Sequence, residues 1–590
     1  MDRRTLIALV LSAGVVMLFQ VLYFAPAERE AARRRQEKAL LAKSEADSLQ
    51  ALSGEGPDTL GARAIAPVEP DVRLEAGPGE AVQPALPGAS ALFAVASLLG
   101  APAREVAVET DLYEAVFSSR GGVIKSMRLK QFEGLEGEVV DLVRDREKGE
   151  LGLLIRSEKG QVDLNSVSFW VRDSVDTETG RIRKLSFFAA DSFGASISKT
   201  FTFAEDSYAI GLDLELRGVS SQEEKLEYFL GWTGGLSLTE TNQKEEIRSM
   251  ATVSLLGTEM IRDDLGSFKK TQMKEHTGNV KWTGVRSRYF IAALLPPEGT
   301  VSRVVTFGDP EKNLSGAQLP VPISLGGVTQ TTYTIYLGPI DLWKLKDLGV
   351  GLERVVNMGW SWIRPVSQLV LWFLVVCHSA IPNYGLVVIV LSALTKVLFY
   401  PLTKSSMKSM REMQKLQPEI QKLKEKLKKD PQRLNKAVMA LYKEHKINPL
   451  GGCFPLLLQM PVFIALYNVL MHSIEMRKAN FVWWMNDLSS PDTAAVVGGF
   501  SIHLLPLLMA ASMFWQQKMT PTDPRQAAMM YFMPILMLVF FYSLPSGLVL
   551  YWTANNVMTI IQQYITQRGE KAKAAPQAGL DEKHKRAIKP

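Results

Sequence analysis

Two kinds of hydrophobic pattern divide this chain. Short runs such as Val106–Thr110, Ile197–Phe203, Ala209–Leu216 and Tyr333–Leu337 alternate apolar and polar residues. A period of two marks half-buried strands. Gly121-Gly122 and Gly234-Gly235 supply turns or bulges, and no helical stripe of comparable length interrupts the runs. The pattern predicts an all-β sandwich domain over 105–340.

Beyond Pro339 the period becomes helical. Trp343, Leu345, Leu348, Leu352, Val355 and Val356 recur within Leu342–Trp362, which predicts one amphipathic helix lying at a membrane surface. Val366–Ile381 is more apolar but short for a span, and Pro382-Asn383 breaks it, so 341–382 is read as an interfacial region. Five longer apolar runs follow, at about 385–402, 453–472, 494–515, 528–544 and 547–566. Each approaches the roughly 20 residues that cross a bilayer as a helix. They predict a five-span α-helical bundle over 383–568.

Ahead of the strands, Leu6–Phe24 is uncharged behind Asp2-Arg3-Arg4, which suits a signal anchor over 1–26. Ala25-Pro26-Ala27 loosely matches a cleavage site, so a removed signal peptide is the other reading. The stretch 27–104 begins as a charged stalk and becomes a Pro-, Gly- and Ala-rich flexible linker, within which Ala91–Leu99 is apolar enough to dock.

Charge gives the topology. The net charge is only +6, but Thr403–Lys446 holds 13 Lys and Arg against 5 Asp and Glu. Met413, Leu416, Ile420, Leu423 and Leu427 line one helix there. Asp430-Pro431 caps a second, with Leu434, Val438 and Leu441 on its apolar face. The positive-inside rule places this basic hairpin, 403–448, in the cytoplasm. Alternation then puts both termini in the cytoplasm, including a basic tail over 569–590, with the β domain and the Trp483-Trp484 loop outside.

Catalytic chemistry is not legible. Two cysteines, six scattered histidines and the lack of a G-x-x-x-x-G-K-[ST] loop point to no metal, no cofactor and no nucleotide. Lys396 is the anomaly. A lysine within an apolar span costs about 2.5–3.5 kcal/mol and is a functional candidate by default. Ser392, Thr395 and Phe399 share its side of a helix. The other reading is a lysine snorkelling towards Thr403. In the last span Trp552, Asn556, Thr559 and Gln563 fall on one face, with Asn555 and Gln562 beside it; Gln459 lies in the span between Pro455 and Pro461. Amides facing lipid are costly, so these groups either line a wet groove with Lys396 or join helices. Met509, Met513, Met529, Met530, Met533, Met537, Phe540 and Phe541 form a soft apolar set suited to varied partners.

Tyr400-Pro-Leu-Thr-Lys404, Asn448-Pro-Leu-Gly-Gly-Cys-Phe-Pro455, Gln459-Met-Pro461 and Pro545-Ser-Gly-Leu-Val-Leu-Tyr551 resemble the YidC/Oxa/Alb membrane-protein insertases over about Trp360–Arg568. The strand region, at Gly121-Gly122, Trp282–Phe290 and Thr334–Pro339, resembles the periplasmic domain of the Gram-negative type. The resemblance implies an N-terminal anchor, a periplasmic β-supersandwich and a five-span core in the bacterial inner membrane. It implies insertion and chaperoning of nascent membrane proteins, alone or with the Sec translocon, and not an enzyme. Lys396 stands where the family carries a groove arginine; it keeps the charge without the planar fork. Ser392, Thr395, Gln459, Asn556, Thr559 and Gln563 become the groove lining, and Phe463, Met509, Phe540 and Trp552 the apolar slide with Ser392 also at a substrate-contact position. The basic hairpin and tail become a ribosome-recruiting surface. A solute transporter using Lys396 and a membrane-anchored envelope saccharide-binding protein are the rival readings; neither an acidic partner nor a repeated half supports the first.

Overall fold

The computed structural model describes residues 102–587, apart from 159, 177–178, 191–194, 220–224, 429, 446, 448–453, 498–499 and 520–523. The expected anchor over 1–26, the stalk and linker through residue 101, and Asn448–Cys453 of the quoted motif lie outside the described residues.

Alternating sequence gives alternating burial. Ala209–Arg217 buries Ile210, Leu212, Leu214 and Leu216 and turns the residues between them outward. This strand sits in a nine-stranded antiparallel sheet. Its order is Glu259–Asp264, Ala251–Leu256, Val280–Arg286, Phe290–Leu295, Val328–Pro339, Ala209–Arg217, Ser196–Thr202, Ile182–Ala190 and Trp170–Val175. A six-stranded sheet runs Gln272–Thr277, Arg303–Asp309, Leu314–Pro322, Glu227–Trp232, Leu153–Arg156 and Gln161–Asp163. The two sheets face one another: the Tyr228 hydroxyl of the six-stranded sheet lies 2.7 Å from the Tyr333 hydroxyl of the nine-stranded sheet. Trp232 and Trp282 are fully buried in the core. A four-stranded sheet made from 105–141 completes the β region, and one short helix, Gln243–Ser249, interrupts the strands.

The single amphipathic helix expected over Leu342–Trp362 does not form. The chain makes a short helix at Leu342–Asp347 and a 3-10 turn at Leu352–Val355. Gly349 and Gly351 between them adopt left-handed φ of 69° and 79°, which ends the first piece. The apolar stripe packs on the β region: Trp282 Nε1 donates to the Val350 carbonyl at 3.2 Å and Arg286 Nη1 to the Val355 carbonyl at 2.7 Å. Leu345 and Leu352 are fully buried.

Nine helices follow among the described residues: α1 Arg364–Ala380, α2 Tyr384–Leu398, α3 Tyr400–Lys415, α4 Gln417–Lys426, α5 Pro431–Glu444, α6 Phe454–His472, α7 Leu504–Met519, α8 Pro524–Phe541 and α9 Ser546–Ala587. The part of α8 through Leu536 belongs to a different compact unit from the rest of these helices. Among the described residues no helix is long and apolar enough to cross a membrane. The run expected at 385–402 is divided at Phe399, because Pro401 has no N–H to give Val397 and the helix restarts as α3. The run expected at 494–515 begins as a two-stranded ladder, Ala495–Val497 with Phe500–Ile502. Helix α7 starts only at Leu504, and the Asp492 carboxylate accepts from the Leu505 N–H at 2.9 Å. At the other extreme, α9 continues past the expected end of its span at residue 566.

Asp430 caps α5 by accepting from the N–H groups of Gln432 and Arg433, as its sequence predicts. Leu416, Ile420 and Ile447 form a small core against Met413, Val438, Leu441 and Tyr442, joining α4 to α5. Helix α2 packs on α1 and α9, α6 on α1 and α9, and α7 on α9.

Lys199 yields a pH prediction. It is fully buried and donates to the carbonyl oxygens of Gly121, Gly122 and Leu151. Burial pushes its ammonium down to about 7 from the ordinary 10.5. Between those values the unfolded chain holds a proton that the folded chain has released. Stability conferred through this residue therefore rises with pH across that window, by at most about 1.4 kcal/mol per pH unit. The urea midpoint of the full protein, followed by tryptophan fluorescence, is expected to climb less between about pH 7 and pH 9 in Lys199→Met than in wild type. Parallel climbs in the two proteins would refute the assignment.

Candidate functional site

Asn383 starts α2: its side chain accepts from the Leu386 N–H at 3.1 Å. The helix then carries Ser392, Thr395 and Lys396 down one side, towards α9. Ser392 is fully buried, and its hydroxyl reaches the carbonyls of Val388 in its own helix and Tyr551 in α9, at 3.1 and 3.3 Å. Thr395 Oγ1 donates to the Ser392 carbonyl at 2.9 Å and lies 3.5 Å from the Tyr551 hydroxyl. Gln459 in α6 donates through Nε2 to that same hydroxyl at 3.1 Å. Tyr551 is fully buried and so ties α2, α6 and α9 at one point.

Lys396 points into this set. Its Nζ donates to Thr559 Oγ1 at 2.6 Å, and the Thr559 hydroxyl donates on to the Asn555 carbonyl at 2.6 Å. Asn555 in turn donates to the Tyr551 carbonyl at 3.0 Å. Among the described residues no carboxylate stands in ion-pair contact with Lys396. One hydroxyl among side chains uses one of the three ammonium donors. The arrangement is a cation held between helices and able to accept an anionic or carbonyl-bearing guest.

The remaining expected residues divide. Asn556 turns to α7, donating to Ser512 Oγ at 3.2 Å, while Ser512 donates to the Met509 carbonyl at 2.6 Å. Met509 is fully buried there. Gln563 is buried one turn beyond Thr559. Phe463 and Trp552 meet edge to face at 5.2 Å, and Phe541 lies 6.0 Å from the first ring and 5.3 Å from the second. Phe540 meets this cluster through Phe541, at 5.5 Å. The polar network and the aromatic cluster are therefore adjacent on α9, through Tyr551 and Trp552. The sequence puts Trp552, Asn556, Thr559 and Gln563 on one face with Asn555 and Gln562 beside it; of these Thr559 is the one bonded to Lys396, while Tyr551, which the pattern leaves out, bonds to Thr395 and Gln459. Tyr551, Asn555 and Thr559 follow one another at four-residue steps, the signal that places the tyrosine hydroxyl on the same side of α9.

The family described as 60Kd inner membrane protein matches residues 376–574, and the one described as YidC periplasmic domain matches residues 105–372. The chain is 35% identical over 504 residues to the membrane protein insertase YidC of Chlorobium luteolum, covering 81% of this chain and 85% of the relative. It is 33% identical over 579 residues to that of Syntrophus aciditrophicus, covering 96% of this chain and 99% of the relative. A solved structure of an active YidC insertase, with the first transmembrane domain resolved, aligns at a TM-score of 0.36 and 19% identity. That alignment covers 80% of this chain and 96% of the solved one.

Tyr551→Phe removes the acceptor of Gln459 and the contact to Thr395 while keeping the ring. It is expected to cost about 1 kcal/mol, because it takes that partner from the half-buried Gln459 amide. Thermal unfolding of the detergent-solubilised protein measures this; an unchanged midpoint would show that the hydroxyl does not join the helices.

Proposed function

The chain belongs to the YidC family of membrane protein insertases, and from that premise we propose that its polar network is the entry point for substrate. The family acts on nascent membrane proteins in the bilayer and makes or breaks no bond, so this is not an enzyme. The polar flank of a nascent segment enters between α2, α6 and α9 from the cytoplasmic side. Lys396 attracts its negative charge, and Thr559, Gln459 and the neighbouring amides replace hydrogen bonds lost from water. The apolar part then leaves past Phe463, Met509, Phe540 and Trp552 into lipid, driven by burial at about 25 cal/mol per Å².

The observation that carries this reading is the Lys396–Thr559 contact: a cation in an apolar helix, directed at another helix and left without a carboxylate. A transporter with Lys396 as coupling charge calls for an acidic partner, and none pairs with it among the described residues.

The proposed topology places the β region in the periplasm, both termini and the basic helices α3, α4 and α5 in the cytoplasm, and five spans near the predicted runs. The basic helices and the end of α9 face the ribosome, and the Sec translocon is a further partner. Residues 1–26 serve as the anchor.

The test is insertion of a short single-span substrate with an acidic translocated tail, in cells depleted of their own insertase. Lys396→Arg is expected to stay within about threefold of wild type, and Lys396→Ala and Lys396→Glu to fall at least about tenfold, the equivalent of about 1.4 kcal/mol. Full activity in Lys396→Ala would overturn the role given to the charge.

A further inference from the structure

The segment 473–493, between α6 and α7, touches the start or end of four helices. It follows directly from α6, with the Ser473 N–H bonded to the Val469 carbonyl at 3.0 Å. It meets α2 at Phe481: Asn383 Nδ2 donates to the Phe481 carbonyl at 3.0 Å, and any Cβ on Gly385 would overlap the Phe481 ring. It meets α9 at its first turn, where the N–H groups of Ser546 and Gly547 bond to the carbonyls of Ser490 and Leu488 at 2.8 and 3.0 Å. Ser546 Oγ adds a bond to the Asp487 carbonyl at 2.9 Å. Asp492 caps α7 and accepts from Trp484 Nε1 at 2.9 Å.

The same segment is bolted to the β region. Arg477 Nε pairs with Glu240 at 2.7 Å, with side chains only 3% and 8% exposed. Arg477 Nη2 also donates to the Glu133 carbonyl at 2.6 Å, and its guanidinium lies 5.3 Å from the Phe290 ring. Glu240 is held from behind: its N–H and that of Thr239 bond to Glu246, which is fully buried. On the other side Arg288 Nη2 donates to the Ser489 carbonyl and Tyr289 donates to Ser489 Oγ, both at 3.1 Å.

Geometry converts this into control of the network. Helices α2 and α9 leave the segment in the same direction, so they run parallel. Lys396 lies eleven residues beyond Gly385 and Thr559 twelve beyond Gly547, both about 16–18 Å from the segment at 1.5 Å per residue. Their meeting depends on where the two helices begin, and both beginnings are fixed by 473–493. A partly exposed ion pair would hold such a joint weakly, but an arginine buried to this degree cannot drift from its carboxylate without leaving an uncompensated charge.

We infer that 473–493 is a positioning plate, and that the Arg477–Glu240 pair lets the β region set the register of α2 against α9 and hence of Lys396 against Thr559. Arg477 and Glu240 are positioning residues with no contact to substrate. The inference rests on the functional reading of Lys396 only for its effect on insertion, not for its effect on register.

The experiment uses the full chain, its native cysteines replaced, with spin labels at Val397 on α2 and Ile561 on α9, both exposed positions outside the network. Glu240→Gln, Arg477→Met and the double variant are each expected to widen the label-to-label distance distribution and to lower insertion of the acidic-tail substrate at least about fivefold. The double variant leaves no orphan charge, so it guards against an effect of misfolding in either single one. Arg477→Lys keeps the cation on Glu240 and is expected to retain the wild-type distribution. Lys396→Ala should lower insertion without widening it. An unchanged distribution in Glu240→Gln and in the double variant would overturn the inference. A widened distribution with full insertion would uphold the plate and instead sink the role proposed for Lys396.

Discussion

An ammonium group in the last turn of an apolar helix must find acceptors, and much of the polar architecture of the helical region answers that demand. Lys396 reaches Thr559; Thr559 is fixed by Asn555, Asn555 by Tyr551, and Tyr551 by Gln459 and Thr395. Each link satisfies one group and orients the next, so the chain of bonds is stiffer than its separate members. Lys199 differs within the same molecule: it is fully buried, with three backbone carbonyls around its Nζ, whereas Lys396 is half-buried.

The β region and the helices are one mechanical object where they meet. Buried arginines do most of the joining: Arg286 to the Val355 carbonyl, Arg288 to the Met471 and Ser489 carbonyls, and Arg477 to Glu240 and Glu133. Guanidinium suits this use because its fork spans several acceptors at once and stays charged. A domain attached by a flexible tether would not need such contacts. Their presence fits a β region that holds helix ends in place rather than one that merely hangs beside them.

Much of the fold was legible. Strict alternation in Ala209–Arg217 has one structural solution when one face is buried, and the cap at Asp430-Pro431 is a local event that needs no distant partner; the alternation expected at Tyr333–Leu337 gives way to continuous burial from Ile335 on. Apolar content was less reliable. In Leu342–Trp362 it reflects packing against the sheet, and two glycines break what spacing alone joins. In Ala494–Ile502 it belongs to a small ladder. Hydrophobicity reports that a residue leaves water, not whether lipid or protein receives it.

The sequence by itself singled out Lys396, Ser392, Thr395, Gln459 and Thr559 as polar groups that apolar helices must satisfy, because charged and amide side chains there have few alternatives. It also determined the apolar identities of Phe463 and Trp552. Only the tertiary structure decided which of these meet. Asn555 bonds within α9 and Asn556 to Ser512 of α7, so Thr559 is the group that meets the lysine; that rotation is set by packing against α2 and α7 and by the hydrogen bonds that seat Ser546 and Gly547 on residues 487–490. Helical periodicity names the stripe; the contacts at the helix end aim it.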